Sequence, residues 1–358
     1  MPKPFRVIDS SVRDGRQRIA FDQALIDLHK EGRVPDTVRF LRFPPTALIG
    51  RNQALSHELK LDFCKANDIG LVRRITGGGA IYLDEGQVGW ELVFNRANLP
   101  LEDLSAYAKS ICDAAAAGLS TTYDIDARFR PRNDIEVEGR KICGTGGFFD
   151  GDTLFYQGTV LVDMDGARMA ACLNVPEAKL KKRALDNAAQ RVVTLKELLG
   201  EAPPVEDVQE AVLAGFRSTL GIDAQAGEIT AEELARAKAI HDEEIGTDAF
   251  VHEIDRPGGG DVLTASYEGP GGGVSVYLRV EGEGGAKRIR EALITGSFFI
   301  TPPRVVYDLE ASLRGVALGE AGAAVERVFA ETDVGMLTIA PADFRQVVES
   351  ALAVRADA

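Results

Sequence analysis

Two short stretches of the chain carry residue types suited to chemistry rather than to a core. The first is RRITGGGAIYLD, Arg73 to Asp84, and the second is NDIEVEGRKICGTG, Asn133 to Gly146. Consecutive glycines let the backbone approach a ligand and leave N–H groups for oxyanions, while arginines add permanent charge and bidentate donors. The lysine, Lys141, sits in a predicted glycine-framed turn and can meet a phosphate or carboxylate as a point charge. The combination predicts a site where an acid is activated with a nucleotide.

Strand patterns surround both stretches. The glycine loop is preceded by a predicted strand at 70–74 and followed by one at 80–82. Since the glycines lead into a strand rather than a helix, and no GK[ST] occurs, P-loop and dinucleotide-binding motifs are disfavoured. Further strands are predicted at 38–43, 47–49, 88–94, 135–137, 153–162, 274–280 and 293–299.

Helical periodicity and capping residues predict the remaining elements. Leu104, Tyr107, Ala108 and Ile111 follow the spacing of one helical face, and Thr230 with Glu233 forms a capping-box pattern. The predicted helices span 18–29, 58–66, 101–119, 205–220, 230–243, 308–314, 319–331 and 341–354. Strands mixed with helices predict an α+β fold. A glycine-rich segment at 257–273 suggests a boundary, with a catalytic domain at 1–254 and a smaller α+β accessory domain at 255–358.

Composition excludes some function classes. The net charge of -14 argues against non-specific nucleic-acid binding. The four cysteines have no CxxC spacing, which argues against a zinc site or a disulfide scaffold. The amino terminus lacks an apolar signal core, and no run of about 18 apolar residues occurs. We therefore expect a cytoplasmic protein with reduced thiols and no membrane partner.

Several motifs occur in a fixed order along the chain. They are IGRNQ at 49–53, RRITGGGAI at 73–81, NDI at 133–135, GRKICG at 139–144, QGTVL at 157–161, LNVPEAKL at 173–180 and RVVTL at 191–195. Together they resemble the pattern of lipoate–protein ligases, in the biotin/lipoate ligase and octanoyltransferase superfamily. The resemblance covers roughly 45–195 and is weaker over roughly 260–350. It implies a biotin/lipoate ligase-like catalytic domain.

The resemblance implies an ATP-dependent reaction in two steps. Lipoate, or octanoate, would be converted to its adenylate with ATP and Mg²⁺, and the acyl group would pass to a lysine of a lipoyl-acceptor protein. Lys141 would be the catalytic residue, holding the carboxyl or adenylate oxygens in both steps, and Asp134 would contact Mg²⁺. The residues expected to bind the nucleotide or adenylate are Arg74, Thr76, Gly77, Gly78, Gly79, Ala80, Ile81, Tyr82, Asn133, Asp134, Lys141, Gly158 and Thr159.

Some of these readings have alternatives. Arg73 and Arg74 can also be read as ordinary surface charges, and Asp134 as a turn cap. Cys143 is read as a small packing residue, with a nucleophile as the alternative. Asn52 and Gln53 either shape the pocket or contact the ligand.

The pattern departs from the family at two positions. Leu83 and Gln157 stand where many members have histidine, so a mechanism with a local histidine base is in doubt.

The basic stretch Lys179 to Arg183, with Arg191, is predicted to lie over the adenylate or on the acceptor-docking face. Two other functions stay open: octanoyl or lipoyl transfer between carriers through a cysteine, and a non-catalytic module that binds lipoylated proteins. The sequence does not identify the acceptor, the preferred acid or the oligomeric state.

Overall fold

The computed structural model describes residues 3–174, 191–269, 272–337 and 339–353. They form a mixed α+β structure, which confirms the predicted fold class. The predicted basic stretch from Lys179 to Arg183 lies outside the described residues. No helix of the described part is long and apolar enough to cross a membrane.

The largest sheet is built from strands of the first two thirds of the chain. Its strands are β1 (Lys3–Val12), β2 (Thr37–Arg42), β6 (Gln87–Asn95), β7 (Ala127–Arg130), β8 (Asp134–Val137), β9 (Arg140–Asp150), β10 (Thr153–Leu161) and β11 (Ile222–Ala226). The order across the sheet is β11-β1-β2-β6-β10-β9-β8-β7. β1 pairs parallel with β2 and β11, and the other neighbours are antiparallel.

One face of this main sheet is covered by helix α1 (Gly15–Lys30) and a small three-stranded sheet. The small sheet contains β3 (Thr46–Ile49), β4 (Gly70–Arg73) and β5 (Ile81–Leu83), in the order β4-β3-β5. Leu25 of α1, Leu48 of β3 and Val93 of β6 belong to the core between these layers. The glycine loop therefore connects two strands of the small sheet, and its residues lie at the edge of this core.

The other face packs on helices α4 (Leu104–Tyr123) and α7 (Val205–Gly215). Trp90 of β6 and Tyr156 of β10 are fully buried there. Alternate residues of each strand thus face opposite cores. In β6 this alternation places Trp90 against the helices, whereas Gly89 and Glu91 face the small sheet.

Shorter helices complete the first part of the structure. They are α2 (Leu55–Glu58), α3 (Leu61–Ala66), α5 (Gly166–Cys172), α6 (Leu195–Leu199), α8 (Ala231–Ile240) and α9 (Asp248–Val251). The predicted capping box at Thr230 and Glu233 is confirmed, with both reciprocal hydrogen bonds present. The single helix predicted at 58–66 is wrong: Leu59 is extended and separates two short helices.

The carboxy-terminal part has its own core. Its sheets contain β12 (Leu263–Gly269), β13 (Gly272–Glu281) and β14 (Arg288–Gly296), and the pair β15 (Ile300–Thr301) and β16 (Gly335–Met336). The helices α10 (Val305–Leu313), α11 (Ala321–Glu331) and α12 (Pro341–Ala353) cover the three-stranded sheet. Thr301 Oγ1 anchors this part to β9, since it donates to the Phe149 carbonyl and accepts from the Phe149 amide at 3.0 and 2.9 Å.

Two sequence predictions around these elements are wrong. Lys141 does not lie in a turn: it is the second residue of β9, and the turn is at Glu138 and Gly139. The segment 257–273 is not a continuous glycine-rich loop either, because 263–269 is a strand. In β9 the glycines at 144, 146 and 147 lie within a paired strand, whereas the glycines at 258–260 lie outside β12.

Candidate active site

A cavity of about 230 Å³ lies between the main sheet and the small sheet. Its floor is formed by β6, β9 and β10, and its roof by Leu48, Ile81 and Leu83 of the small sheet. Apolar side chains dominate two regions, around Ile19 and Leu41 at one end and around Met164 and Met169 at the other. Polar groups from the predicted motifs lie between them, so the cavity can hold a ligand with apolar parts and an anionic centre.

Arg73 holds the cavity's supporting loops together. Its side chain is fully buried, and its guanidinium donates to the backbone carbonyls of Gly50, Arg51, Gln53, Phe250, Val251 and Ile254. Burial lowers the pKa of Arg73 to about 10, so it remains a cation at neutral pH. The reading of Arg73 as a surface charge is wrong, and its partners give it a structural role.

Arg74 is also buried, but it faces the cavity. Its Nε and Nη2 donate to the Gly77 carbonyl at 3.0 and 2.6 Å, and Nη2 also donates to the Gly79 carbonyl at 2.9 Å. Its Nη1 has no hydrogen-bond partner among the described residues. Burial lowers the pKa of Arg74 to about 10. A buried cation with unused donors at a cavity wall is suited to a carboxylate or phosphate oxygen.

The glycine loop is in contact with the carboxy-terminal part. Gly78 has φ +91°, and its amide donates to the Phe298 carbonyl at 3.0 Å. The Phe299 ring lies so close that a Cβ atom on Gly78 would be 2.5 Å from it, and one on Gly146 would be 2.1 Å away. Glycine is therefore required at both positions. The expectation that this loop offers free N–H groups is wrong for Gly78 in this arrangement.

Lys141 is held by an ion pair at the cavity wall. Its Nζ lies 2.8 Å from Asp134 Oδ1, and Arg130 Nη2 donates to Asp134 Oδ2 at 2.5 Å. Burial would raise the pKa of Asp134, but Lys141 and Arg130 outweigh it and hold this pKa below its ordinary value. The carboxylate thus stays ionised at neutral pH and fixes the lysine amine beside Gly144.

Backbone pairing also positions Lys141. Its amide donates to the Arg191 carbonyl at 2.8 Å, and its carbonyl accepts from the Val193 amide at 2.9 Å. The segment that begins at Arg191 therefore runs beside Lys141. Arg191, which was predicted to lie over the adenylate or on the acceptor-docking face, contacts this strand through its backbone.

Most predicted site residues meet at this one cavity. Its lining includes Arg74, Gly79, Ala80, Ile81, Tyr82, Asn133, Lys141, Gly158 and Thr159. Thr76, Gly77, Gly78 and Asp134 do not line it directly but support residues that do. Asn52 and Gln53 do not line it either: the Gln53 side chain accepts from the Gly50 amide at 2.8 Å, which favours their pocket-shaping reading.

Gln157, one of the two departures from the family pattern, has a defined partner. Its Nε2 donates to Thr76 Oγ1 at 2.8 Å and so ties the main sheet to the glycine motif. Leu83, the other departure, adds to the apolar roof. No histidine lines the cavity within the described residues, and none of the chain's histidines lies outside them.

Two of the cavity residues that sequence reasoning missed are Phe299 and Glu91. Phe299 comes from a distant segment, and no local pattern indicates where it packs. Glu91 is fully buried in the floor beside Gln157. The sequence does contain a signal for Glu91. A single carboxylate inside the apolar strand VGWELVF is costly to bury unless a partner or a ligand contacts it.

A magnesium ion needs several oxygen ligands in an octahedral arrangement. No group of three or more His, Cys, Asp or Glu that could hold a metal occurs in the described ranges. Asp134 also faces cations at both oxygens. The protein residues do not fit a metal site by themselves. Magnesium at Asp134 would need nucleotide phosphates and waters as its other ligands, and this assignment stays a prediction.

Known proteins of related sequence include both transferases and ligases. The chain is 29% identical to octanoyltransferase LipM of Geobacillus kaustophilus over 269 residues, which covers 67% of this chain and 96% of that protein. A bipartite lipoate protein ligase from Thermoplasma acidophilum, described with its E2 lipoyl domain, is 25% identical, with a TM-score of 0.64 over 72% of this chain and 99% of that chain.

Two further solved structures extend the likeness. Lipoate-protein ligase A bound with ATP is 25% identical, with a TM-score of 0.62 over 70% of this chain and 99% of that chain. LipL1 of P. falciparum, at 17% identity, shares the fold over 97% of this chain and 98% of its own, with a TM-score of 0.73. That likeness includes the carboxy-terminal part.

The profile of the lipoyl protein ligase A/B catalytic domain matches residues 14–217. This range is more than half of the chain and contains Arg74, the glycine loop and Lys141. The chain is therefore a member of the lipoyl protein ligase A/B catalytic-domain family, whose members include lipoate ligases and octanoyltransferases.

Proposed function

We propose that the protein activates lipoate with ATP to lipoyl-AMP and transfers the lipoyl group to a lysine of an acceptor protein. The observation that carries the proposal is the chemistry of the cavity wall. Arg74, Asn133 and Lys141 face the cavity, whereas none of the chain's four cysteines does. Transfer through a thioester requires a thiol within reach of the acyl carbonyl.

Burial also keeps the thiols away from a ligand, although a hydrogen bond with Cys172 lowers the pKa of Cys64. All four are buried. Burial raises the pKa of Cys112 to about 11 and raises the pKa of Cys143 further, which disfavours the thiolate. Cys143 follows Lys141 by two residues, yet it packs in the core against α4. This position agrees with the interpretation of Cys143 as a packing residue.

The cavity groups can perform the first step by charge and position. The carboxylate of the acid and the α-phosphate of ATP are both anionic, so their approach requires cations and N–H donors around the meeting point. Arg74 and Lys141 both line the cavity and supply the positive charge. Asp134 holds the lysine amine in position through their ion pair, and the apolar roof excludes water from the reacting carboxyl.

The second step uses the same groups. The acceptor lysine attacks the mixed anhydride, and AMP leaves with the electron pair of the broken C–O bond. Lys141 would stabilise the oxyanion that forms on the carbonyl. No histidine of the chain faces the cavity, so the proton of the incoming amine is expected to leave through solvent or the departing phosphate.

Two resemblances support the nucleotide and the acceptor. One related structure is a ligase with bound ATP, and another is a ligase studied with its E2 lipoyl domain. For this chain, we infer ATP as co-substrate and a lipoyl-acceptor domain as partner. We also infer a division near residue 255 between a catalytic domain and an accessory domain, because the carboxy-terminal part has its own core.

Octanoyl transfer between carrier proteins is the second candidate. It is favoured by the LipM relative, which aligns over nearly its full length. The two functions differ in their need for ATP. Lipoate-dependent exchange of pyrophosphate into ATP, together with mass spectrometry of an acceptor domain, would support ligation. Acylation of a protein thiol by an acyl carrier without ATP, and no exchange, would support transfer and contradict our proposal.

A further inference from the structure

Four charged side chains are buried together beneath one end of the cavity. They are Arg18 and Asp22 of α1, Arg39 of β2 and Glu91 of β6, and each is at most 2% exposed. The steps proposed above use none of them. Burying charges is costly, and a buried ion pair is weak evidence for a purely stabilising role. Their position against the cavity suggests a function in the site.

Pairing across the main sheet fixes the position of Glu91. In the sheet register, Glu91 lies opposite Arg39 on one side and opposite Gln157 on the other. Arg39 Nε lies 2.9 Å from Glu91 Oε2, and Arg39 Nη2 lies 2.5 Å from Asp22 Oδ1. Arg39 is thus clamped between two carboxylates. Of the four charged residues, only Glu91 lines the cavity.

Glu91 has unused hydrogen-bonding capacity. Its Oε2 is close to Arg39 but accepts no well-aligned hydrogen bond from the described residues. Beyond Arg39, Asp22 and Gln157, the neighbouring cavity lining is apolar and includes Ile19 and Leu41. The carboxylate is itself almost fully buried, so it lies just beneath an otherwise apolar part of the cavity lining. A ligand group that reaches this part can satisfy Oε2 or leave its hydrogen-bonding capacity unused.

The sheet register also gives the distance from the reacting end. Glu91 pairs with Gln157, Gln157 pairs with Gly146, and the Lys141 amine lies over Gly144. The path from Glu91 to the Lys141 amine crosses two strand spacings and runs two residues along β9, which corresponds to about 12 Å. An acid whose carboxylate meets Lys141 would thus bring the far end of a medium-length chain to Glu91.

We propose that Glu91 is the specificity-determining residue for the distal end of the acyl chain, favouring a polar or polarisable end group over a methyl group. The dithiolane of lipoate and a terminal hydroxyl belong to the favoured class, and octanoate to the disfavoured class. This assignment rests on the proposed function, because it takes the cavity to be the acyl site. A methyl end would cover Glu91 without supplying the hydrogen bond that its Oε2 lacks.

The protonation state of Glu91 agrees with this role. Burial raises the pKa of Glu91 to about 8, with Arg39 opposing the shift and Asp22 adding to it. Near neutral pH the protonated carboxyl can donate to a dithiolane sulfur, and it can also accept from a hydroxyl.

The test measures binding of three free acids without ATP, so that catalysis is not required. Calorimetry would compare octanoate, ω-hydroxyoctanoate and lipoate on the full-length wild-type protein, on Glu91→Met and on Glu91→Gln. We expect the wild type to bind the two polar-ended acids about tenfold more tightly than octanoate. Glu91→Met, which keeps length and removes the polar atoms, should abolish the preference. Glu91→Gln, which keeps a donor and an acceptor, should retain most of it.

The outcomes separate this inference from the proposed function. Equal wild-type affinities for the three acids would overturn the role of Glu91, and so would a preference that persists in Glu91→Met. If Glu91→Met does not fold, the wild-type ranking alone decides. Failure of every acid to bind the wild type would instead remove the acyl site, and with it both proposals.

Discussion

The Gly78 amide donates to the Phe298 carbonyl across 3.0 Å, which joins the glycine loop directly to the carboxy-terminal part. The same segment places the Phe299 ring against Gly78 and Gly146. A nucleotide phosphate that is to receive the Gly78 N–H must displace Phe298. Adenylation that uses the Gly78 N–H therefore requires this contact to open.

We expect the carboxy-terminal part to shift when an adenylate occupies the cavity. Spin labels at Leu199→Cys and Glu331→Cys would report the distance between the two parts, because both sites are exposed and the native cysteines are buried. A non-hydrolysable lipoyl-adenylate mimic should change the distance distribution. An identical distribution with and without the mimic would show that adenylation proceeds with the contact closed.

Gly78→Val should weaken the binding of ATP and lipoate together, by about tenfold or more. The new side chain would clash with the Phe299 ring, and the positive φ of Gly78 costs a branched residue about 1–2 kcal/mol. Gly151→Val is the matched control, since Gly151 has φ +60° but open space around its Cα. Equal ligand affinities for wild type and Gly78→Val, measured by calorimetry, would make this loop purely structural.

Local sequence patterns were sufficient for much of the fold. The periodic apolar residues of α1 and α4 and the apolar runs of β2 and β6 predicted these elements because one repeating face is buried. Members of the glycine motif, Asn133, Lys141 and members of the QGTVL motif also line one cavity. β9 was missed because its RKICGTGG sequence has glycines where a strand normally has large side chains.

The remaining features depend on contacts between distant segments. Phe299 reaches the glycine loop only through the docking of the carboxy-terminal part, and nothing near residue 299 encodes that partner. The cluster of Arg39, Asp22 and Glu91 likewise needs the register of β2 against β6 before its members become neighbours. Single-sequence patterns describe which face is buried, but not which buried faces meet.

Lys141→Ala should lower both half-reactions by about 10²–10³-fold, because one electrostatic contact to the reacting carboxyl is lost. Pyrophosphate exchange measures adenylation, and amide formation from supplied lipoyl-AMP measures transfer. Lys196→Ala is a suitable control, since Lys196 also pairs with a carboxylate, Asp163, at 2.8 Å but does not line the cavity. Near-normal rates in a folded Lys141→Ala protein would contradict the assignment.

Asp134→Asn tests the magnesium prediction. If Asp134 contacts the metal, the Mg²⁺ concentration for half-maximal adenylation should rise by about tenfold or more, whereas a role through Lys141 alone would lower the rate without moving that concentration. Titration with Mg²⁺ at saturating ATP distinguishes the two. Asp163→Asn provides the control, because it removes the carboxylate of another lysine pair.

Glu91 should make the stability of the protein depend on pH. It is enclosed by Asp22 and Arg18 of α1, Arg39 of β2 and Gln157 of β10. Burial raises its pKa from 4.5 to about 8, so the folded state holds the proton more tightly than the unfolded chain does. The free energy of unfolding contributed by Glu91 should then be fully present below about pH 4.5 and fall as the pH rises to about 8.

Glu91→Gln removes this titration and keeps the shape of the side chain. We expect the free energy of unfolding of the wild type to fall relative to that of Glu91→Gln between these pH values, by on the order of 1–4 kcal/mol. Denaturant unfolding of both proteins from pH 5 to pH 9 measures the difference. Asp22 forms a hydrogen bond with Glu91, so the difference between the two curves reports the Glu91–Asp22 pair. Parallel curves would mean that Arg39 keeps Glu91 ionised throughout, and that the carboxyl cannot act as a donor to the acyl chain.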